Sequence, residues 1–171
     1  LCFALRRWKG FEEKAPLFRA AAEYAYRTYG LTPVFLAAEK HQDPGAGQLA
    51  ARGLTIPHYF LNDPGGAGTI IGTLSRMRAV VAMRLHALIF AAGQGTPLAG
   101  VVYDPKVSAF LRYIGQEQFV DLADLTEEVL RSMIDQCMVQ AEHPEAQAAA
   151  VRRLQDMEHK NVEVARRLLA R

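Results

Sequence analysis

The stretch AVVAMRLHALIFAAG, residues 79–93, decides the fold because its pattern changes from strand to helix within a few residues. Five consecutive apolar residues, 79–83, are typical of a strand that is buried on both faces of a sheet. The next residues predict a helix that ends at Gly93, with a buried stripe made of Leu85, Leu88, Ile89 and Ala92. Pro97 to Tyr103 predicts another strand. This order indicates a parallel βαβ unit, with Arg84 at the end of its first strand.

The same alternation continues through the rest of the chain. Strands are predicted at residues 1–5, 33–37, 56–61 and 119–122, and the apolar character of 56–61 suggests cover on both faces. Helices are predicted at 11–29 before Gly30, around 48–51 before Gly53, near 68–75 after the turn 63–66, at 107–114 before Gly115, and after a capping box formed by Asp124 and Glu127. Because parallel neighbours need crossovers, we predict a Rossmann-like α/β fold, with a mainly parallel sheet and helices on both faces.

We expect a single domain over residues 1–171, closed by an amphipathic helix at about 144–171. Apolar residues recur along that helix near the 3-4 spacing, at Val151, Leu154, Met157, Val164 and Leu168, with Asn161 in the same series. The stripe is predicted to pack onto its own sheet or onto a missing half, and dimerisation is the alternative. Since Leu1 already begins a strand-like run, we expect a C-terminal half cut from a longer parent protein.

Composition and charge argue against several classes of protein. The net charge of +2 and the lack of a basic run interleaved with aromatics predict no nucleic-acid partner. Cys2 and Cys137 fit neither a disulfide framework nor a metal motif, so we expect a reducing, cytoplasmic location and no metal. Arg84, His86 and a glycine break interrupt the apolar stretch 80–103, so no transmembrane segment is predicted.

The candidate site lies where the strand at 79–83 ends. No Asp or Glu occurs from Pro64 through Tyr103, a stretch that contains Arg84 and His86. Ligands of open α/β sheets bind at the carboxyl ends of strands, where helix N-termini attract anions, and arginine suits phosphate and carboxylate. We therefore predict an anion site. The alternative is that Arg84 pairs with a carboxylate from elsewhere and His86 hydrogen-bonds within the core.

Two other strand ends supply further candidates. Arg6 and Arg7 follow the first strand and could face the same crevice, or they could be surface charges that flank Trp8. After the strand at 97–103, Asp104 can cap the next helix, and Lys106 lies in its first turn, where a cation opposes the helix dipole.

Motifs that are missing narrow the function. The sequence has no G-x-G-x-x-G after its first strand, no Walker loop and no G-x-S-x-G. A nucleotide-sugar-dependent glycosyltransferase donor domain of the GT-B type stays open as an alternative, and so does a non-catalytic α/β module that binds a partner.

Residues 80–92, VVAMRLHALIFAA, and residues 102–107, VYDPKV, closely resemble the CsaB-type polysaccharide pyruvyl transferases. The run LRRWK at residues 5–9 resembles the strand that begins the second domain of that family. The usual pattern there has a proline at the position of Arg7, which makes Arg6 the better candidate.

The resemblance implies the C-terminal half of a GT-B-like two-domain enzyme, with a missing N-terminal domain as the other wall of the cleft. The implied reaction transfers pyruvate from phosphoenolpyruvate, as a ketal, to a sugar of a cell-wall polysaccharide or its lipid-linked precursor, with release of phosphate. The CsaB branch acts on polysaccharide that anchors S-layer proteins. No cofactor is implied, and the expected location is the cytoplasm, including the inner face of the membrane.

The residues present suit this chemistry. Protonation of the methylene carbon of phosphoenolpyruvate creates an oxocarbenium-like centre that a hydroxyl can attack, and histidine titrates near neutral pH. His86 is therefore the candidate general acid. Arg84 and Arg6 are expected to hold phosphate and carboxylate, with Lys106 in an assisting role, and Arg7 and Asp104 complete the candidate residues.

Overall fold

A computed structural model describes residues 1–169, which form one parallel six-stranded sheet with helices on both faces. The strands are β1 (Cys2–Ala4), β2 (Val34–Leu36), β3 (Tyr59–Leu61), β4 (Val80–Ala82), β5 (Leu98–Val102) and β6 (Phe119–Asp121). The helices are α1 (Phe11–Tyr29), α2 (Pro44–Ala50), α3 (Ala67–Leu74), α4 (Leu85–Gly93), α5 (Pro105–Tyr113), α6 (Glu127–Ala141) and α7 (Pro144–Leu169). The predicted Rossmann-like α/β class is confirmed.

The order of strands in the sheet is β3-β2-β1-β4-β5-β6, and each neighbouring pair is parallel. The order reverses direction between β1 and β4, which are paired in register from Cys2 with Val80 to Ala4 with Ala82. In doubly wound sheets this switch point opens a crevice outside the carboxyl ends of the strands. The loops that follow β1 and β4 border that crevice.

Alternation along the strands divides the core into two layers. Phe3, Val81 and Val101 point toward the layer that α1, α2 and α6 cover. Their neighbours, such as Ala4 and Ala82, point toward α3, α4 and α5. Both sets are almost fully buried, because helices pack on both faces of a parallel sheet. These two layers fix the strand ends from which the candidate site residues project.

Three local predictions are wrong. The strand β3 is not covered on both faces, because it lies at the edge of the sheet and exposes Tyr59 and Phe60. The cap of α6 is Thr126, whose hydroxyl accepts from the N–H of Val129 at 3.3 Å, whereas Asp124 lies in a preceding 3-10 turn. The buried residues of α4 are Ala87, Leu88, Ala91 and Ala92.

The C-terminal helix α7 packs through its first half only. Val151, Leu154 and Met157 are partly buried, and the helix contacts α4 and α6. Further along, Val164 and Leu168 are exposed. The predicted end of this helix, Ala170 and Arg171, lies outside the described residues. Within residues 1–169, no helix combines the length and the apolar character needed to cross a membrane.

A test of the packing between α5 and β5 is available at Gly100, in the middle of the strand. A Cβ atom there would overlap Cδ1 of Leu111 and lie 3.3 Å from Cβ of Phe119. Leu111 is fully buried and has little space to move. We expect Gly100→Ala to lower the free energy of unfolding by about 1–3 kcal/mol, measured by urea denaturation.

The matched control is Gly72→Ala. Gly72 lies inside α3, and a Cβ atom there would meet no atom within 4 Å. Removing a helical glycine at an open position should raise the free energy of unfolding by up to about 1 kcal/mol. Equal effects at the two glycines would contradict the proposed tight packing at Gly100.

Candidate active site

The candidate residues gather at the carboxyl ends of the three central strands. Arg6 and Arg84 each lie two residues beyond the register pair Ala4 and Ala82. The chain after β5 continues into Tyr103 and Asp104. Because β1, β4 and β5 are adjacent and parallel, these loops emerge at the same edge of the sheet. The fold therefore brings together segments that are far apart in the sequence.

Arg84 is held by a buried carboxylate. Its Nε donates to Oδ1 and Oδ2 of Asp43 at 2.8 and 2.9 Å, and its Nη2 also bonds to Oδ1. The backbone N–H of Glu39 donates to Oδ2 of the same carboxylate at 2.8 Å. The Asp43 side chain is 0% exposed and that of Arg84 is 15% exposed. This contact leaves the two N–H donors of Nη1 for another partner.

The ion pair corrects one step of the sequence argument. The absence of acidic residues from 64 to 103 favours an anion site without a competing carboxylate, but Asp43 reaches Arg84 from outside that stretch. Arg84 is paired with a carboxylate from elsewhere, as the alternative interpretation had it. Its role in binding an anionic ligand stays a prediction.

His86 lies in the first turn of α4 and is exposed to solvent. The centroid of its ring is 6.2 Å from that of Phe90, one helical turn further on. The alternative that placed His86 in hydrogen bonds within the core is therefore wrong. The imidazole is therefore exposed beside the N-terminus of α4, at the carboxyl edge of the sheet.

Arg6 lies against two aromatic rings that contact each other. Its Nη1 donates to the hydroxyl of Tyr103 at 3.2 Å. The guanidinium carbon lies 5.3 Å from the ring centroid of Trp8 and 5.4 Å from that of Tyr103, within the range of cation–π attraction. The two rings are themselves 4.9 Å apart. We call Trp8 and Tyr103 the aromatic clamp.

Arg7 points away from Arg6, as expected for consecutive residues of an extended chain. It pairs with Glu12 in an exposed contact, and its Cδ lies close to the position that a Cβ of Gly45 would occupy. Of the two arginines, Arg6 is the one that contacts the loop after β5.

Asp104 caps α5, as predicted. Its Oδ1 accepts from the backbone N–H of Lys106 at 3.0 Å, and Nζ of Lys106 lies 3.4 Å from Oδ2. The backbone hydrogen bond from Lys106 is the main cause that lowers the pKa of Asp104. Desolvation opposes it, and the side chain of Lys106 and the charge of Arg6 lower the pKa further. Lys106 is therefore already engaged by this carboxylate, with its side chain half exposed.

A cleft of about 740 Å³ opens beside Arg6, between the loop after β1 and the ends of β5 and β6. We call it the Trp8 cleft. Its walls include Trp8, Glu13, Tyr103, Asp104, Ser108 and Asp121. Among residues 1–169, no group of three or more His, Cys, Asp or Glu side chains could hold a metal ion.

Sequence reasoning missed Asp43, Tyr103 and Trp8 as functional candidates. The pair Asp43-Pro44 is a recognisable helix start, but nothing in it reveals a partner 41 residues away. In the sequence, Tyr103 is recognisable only as the end of a strand and Trp8 only as a neighbour of two arginines. Their connection through Arg6 depends on the β1-β4-β5 order of the sheet.

The energetic importance of the Asp43–Arg84 pair can be measured directly. Removal of a buried partner leaves a poorly solvated charge, so we expect Asp43→Ala to lower the free energy of unfolding by about 3 kcal/mol. The exposed Arg7–Glu12 pair offers a control, since Glu12→Ala should change the free energy of unfolding by less than about 1 kcal/mol. In the double variant Asp43→Ala/Arg84→Ala, the loss of unfolding free energy should be smaller than the sum of the losses in the two single variants. Equal losses in Asp43→Ala and Glu12→Ala would show that the buried pair has no special role.

Comparison with known proteins adds evidence from a larger part of the chain. A sequence model of the family described as Polysaccharide pyruvyl transferase matches residues 18–105, slightly more than half of the chain. The matched range includes Asp43, Arg84, His86 and Asp104, and it begins after Arg6 and Trp8. No curated protein matches the chain. On the evidence of that match, the chain belongs to the polysaccharide pyruvyl transferase family.

Proposed function

We propose that this chain forms one wall of an active site that transfers pyruvate from phosphoenolpyruvate to a sugar of a cell-wall polysaccharide. The product is a ketal, and phosphate is released. The observation that carries the proposal is the placement of Arg6, Arg84 and His86 at one edge of the sheet, around the switch point between β1 and β4. The family match supports the same class of reaction.

Two guanidinium groups suit the two anionic groups of phosphoenolpyruvate. Arg84 is oriented by Asp43 and keeps Nη1 for the ligand, next to the unpaired N–H groups of the first turn of α4. Arg6 is oriented by the aromatic clamp. Because both cations are positioned before the ligand arrives, little ordering is needed when it binds. Lys106 lies next along the edge and assists through its charge.

His86 acts as the general acid. It donates a proton to the methylene carbon, which becomes a methyl group, and the neighbouring carbon becomes an oxocarbenium centre. One sugar hydroxyl adds to that centre, the bond to phosphate breaks, and a second hydroxyl of the same sugar completes the ketal. Of the two hydroxyl protons released, one replaces the proton that His86 gave and the other leaves on phosphate. Arg84 and Arg6 stabilise the charge that develops on the departing phosphate.

We further assign the chain to the CsaB-type branch, which acts on polysaccharide that anchors S-layer proteins, or on its lipid-linked precursor. The close resemblance of residues 80–92 and 102–107 supports this assignment. In this proposal an N-terminal domain supplies the opposite wall of the cleft, phosphoenolpyruvate is the donor without any cofactor, and the enzyme works in the cytoplasm at the inner face of the membrane.

The donor can be tested by thermal denaturation in the presence of candidate ligands. A ligand that binds only the folded chain at ten times its Kd adds about 1.4 kcal/mol, which corresponds to roughly 3–6 °C in Tm for a chain of this size. We expect phosphoenolpyruvate to raise Tm and UDP-glucose to leave it unchanged. Stabilisation by the nucleotide sugar alone would favour the glycosyltransferase alternative, and no effect of either would favour a partner-binding module.

The catalytic assignment can be tested in the protein that carries both halves of the cleft. We expect His86→Ala to lower kcat by on the order of a hundredfold or more, because general acids contribute about that much, while the Kd for phosphoenolpyruvate changes little. Arg84→Ala should impair both quantities, because the guanidinium binds the donor and the leaving phosphate. His143→Ala, at an exposed histidine before α7, is the matched control. Normal turnover in His86→Ala would remove the general acid from the mechanism.

A further inference from the structure

The Trp8 cleft has the size and the position of a second subsite. Its volume of about 740 Å³ falls within the range of pockets that hold small ligands. It lies at the carboxyl edge of β5 and β6, and its lining includes Trp8 and Tyr103, the two residues whose rings contact Arg6. Nothing in the proposed handling of phosphoenolpyruvate uses this space.

The lining of the cleft combines an aromatic surface with hydrogen-bonding groups. Trp8 is 45% exposed, which is unusual for so large an apolar side chain in a concave site. Around it lie the carboxylates of Glu13, Asp104 and Asp121 and the hydroxyl of Ser108. A pyranose ring has matching features, because one face presents C–H groups and its rim carries hydroxyls that donate to carboxylates.

The charges of the cleft argue against a second anion. Among the lining residues, Lys9 and Lys14 balance Glu13 and Asp121, and Asp104 is paired with Lys106. A phosphate or carboxylate ligand would therefore find no excess of positive charge among them. A neutral polyhydroxyl ligand needs no such excess, and each carboxylate can accept a charge-assisted hydrogen bond from a hydroxyl.

From these observations we infer that the Trp8 cleft binds the acceptor sugar, with a pyranose ring against the exposed face of Trp8 and its hydroxyls on Asp121 and its neighbours. The inference rests on the proposed function, because it places the acceptor beside the donor. Trp8 contacts Arg6 at 5.3 Å, so a ring on Trp8 lies next to the guanidinium that holds phosphoenolpyruvate. This chain then contributes to binding both substrates.

Trp8 is the only tryptophan of the chain, so its indole N–H gives a single resonance that reports on the cleft. The 171-residue chain is titrated with methyl pyranosides of common hexoses and N-acetylhexosamines, with glycerol as the control polyol. We expect a saturable shift of the indole resonance with at least one pyranoside and no shift with glycerol. Separate titrations with phosphoenolpyruvate and with UDP test the donor and a nucleotide.

Variants separate the two subsites. Asp121→Asn should weaken pyranoside binding about tenfold, as expected for the loss of a hydrogen bond to a charged group, and leave the Kd for phosphoenolpyruvate unchanged. Trp8→Ala should abolish pyranoside binding. Because this variant lacks the indole signal, its binding is measured by ligand-observed NMR. Tyr113→Ala truncates an aromatic of α5 that is 58% exposed and lies outside the lining of the cleft, and it should change neither affinity.

The outcomes distinguish this inference from the proposed function. If phosphoenolpyruvate binds and no pyranoside shifts the indole resonance, the acceptor subsite is overturned and the proposed donor stands. If a pyranoside binds and phosphoenolpyruvate does not, the donor is overturned while the sugar subsite stands. A shift with UDP and with no pyranoside overturns the sugar subsite in favour of a nucleotide.

Discussion

The pairing of β1 with β4 is the constraint on which the rest of the molecule depends. It joins segments almost eighty residues apart in the chain, and the residues of both strands are completely buried. Small side chains at Ala4 and Ala82 let α4 pack close to the sheet on one face, while Phe3 and Val81 fill the other. Both arginines of the candidate site follow from this register, since each lies two residues past the last pair. A shift in the pairing would separate Arg6 from Arg84 and remove the crevice between their loops.

The two arginines are held by different physical means. Arg84 is mostly buried and needs a counter-charge, because a guanidinium without one would lose its hydration and gain nothing in return. Asp43 supplies that charge and is itself satisfied by three donors. Arg6 is also partly buried and is held by the faces of Trp8 and Tyr103, with the carboxylate of Asp104 close enough to feel its charge. The edge thus contains one cation in a buried ion pair and one cation held by aromatic rings.

The sequence predicted what depends on local pattern and missed what depends on packing between distant segments. The strand that gives way to a helix at Arg84 could be recognised because five apolar residues precede the helical spacing. The exposed face of β3 could not, since an edge strand with few neighbours and a central strand can have the same composition. The predicted buried stripe of α4 wrongly includes Ile89. Almost every residue of that helix is apolar, so the sequence does not show which of them face the core.

The candidate site shows the same division. Arg6, Arg84, His86 and Asp104 could be found because each stands at a strand end or a helix start. Asp43 could not be connected with Arg84, and Tyr103 could not be connected with Arg6, since both contacts require the order of strands in the sheet. An inference of local charge from a stretch of sequence therefore fails wherever the fold brings in a partner from another loop.

The charges along the carboxyl edge differ between the end of β4 and the ends of β5 and β6. Toward β4 lie Arg84, the exposed imidazole of His86 and the N-terminus of α4, all of which suit an anion. Toward β6 lie Glu13, Asp104 and Asp121 around an exposed indole, which suit hydroxyl groups. A reaction between an anionic enol ester and a polyhydroxyl acceptor needs two such surfaces in contact, because the substrates must be distinguished and yet meet. In the proposed arrangement Arg6 joins the two surfaces, because its guanidinium contacts Trp8 and Tyr103 of the cleft and its charge suits the donor.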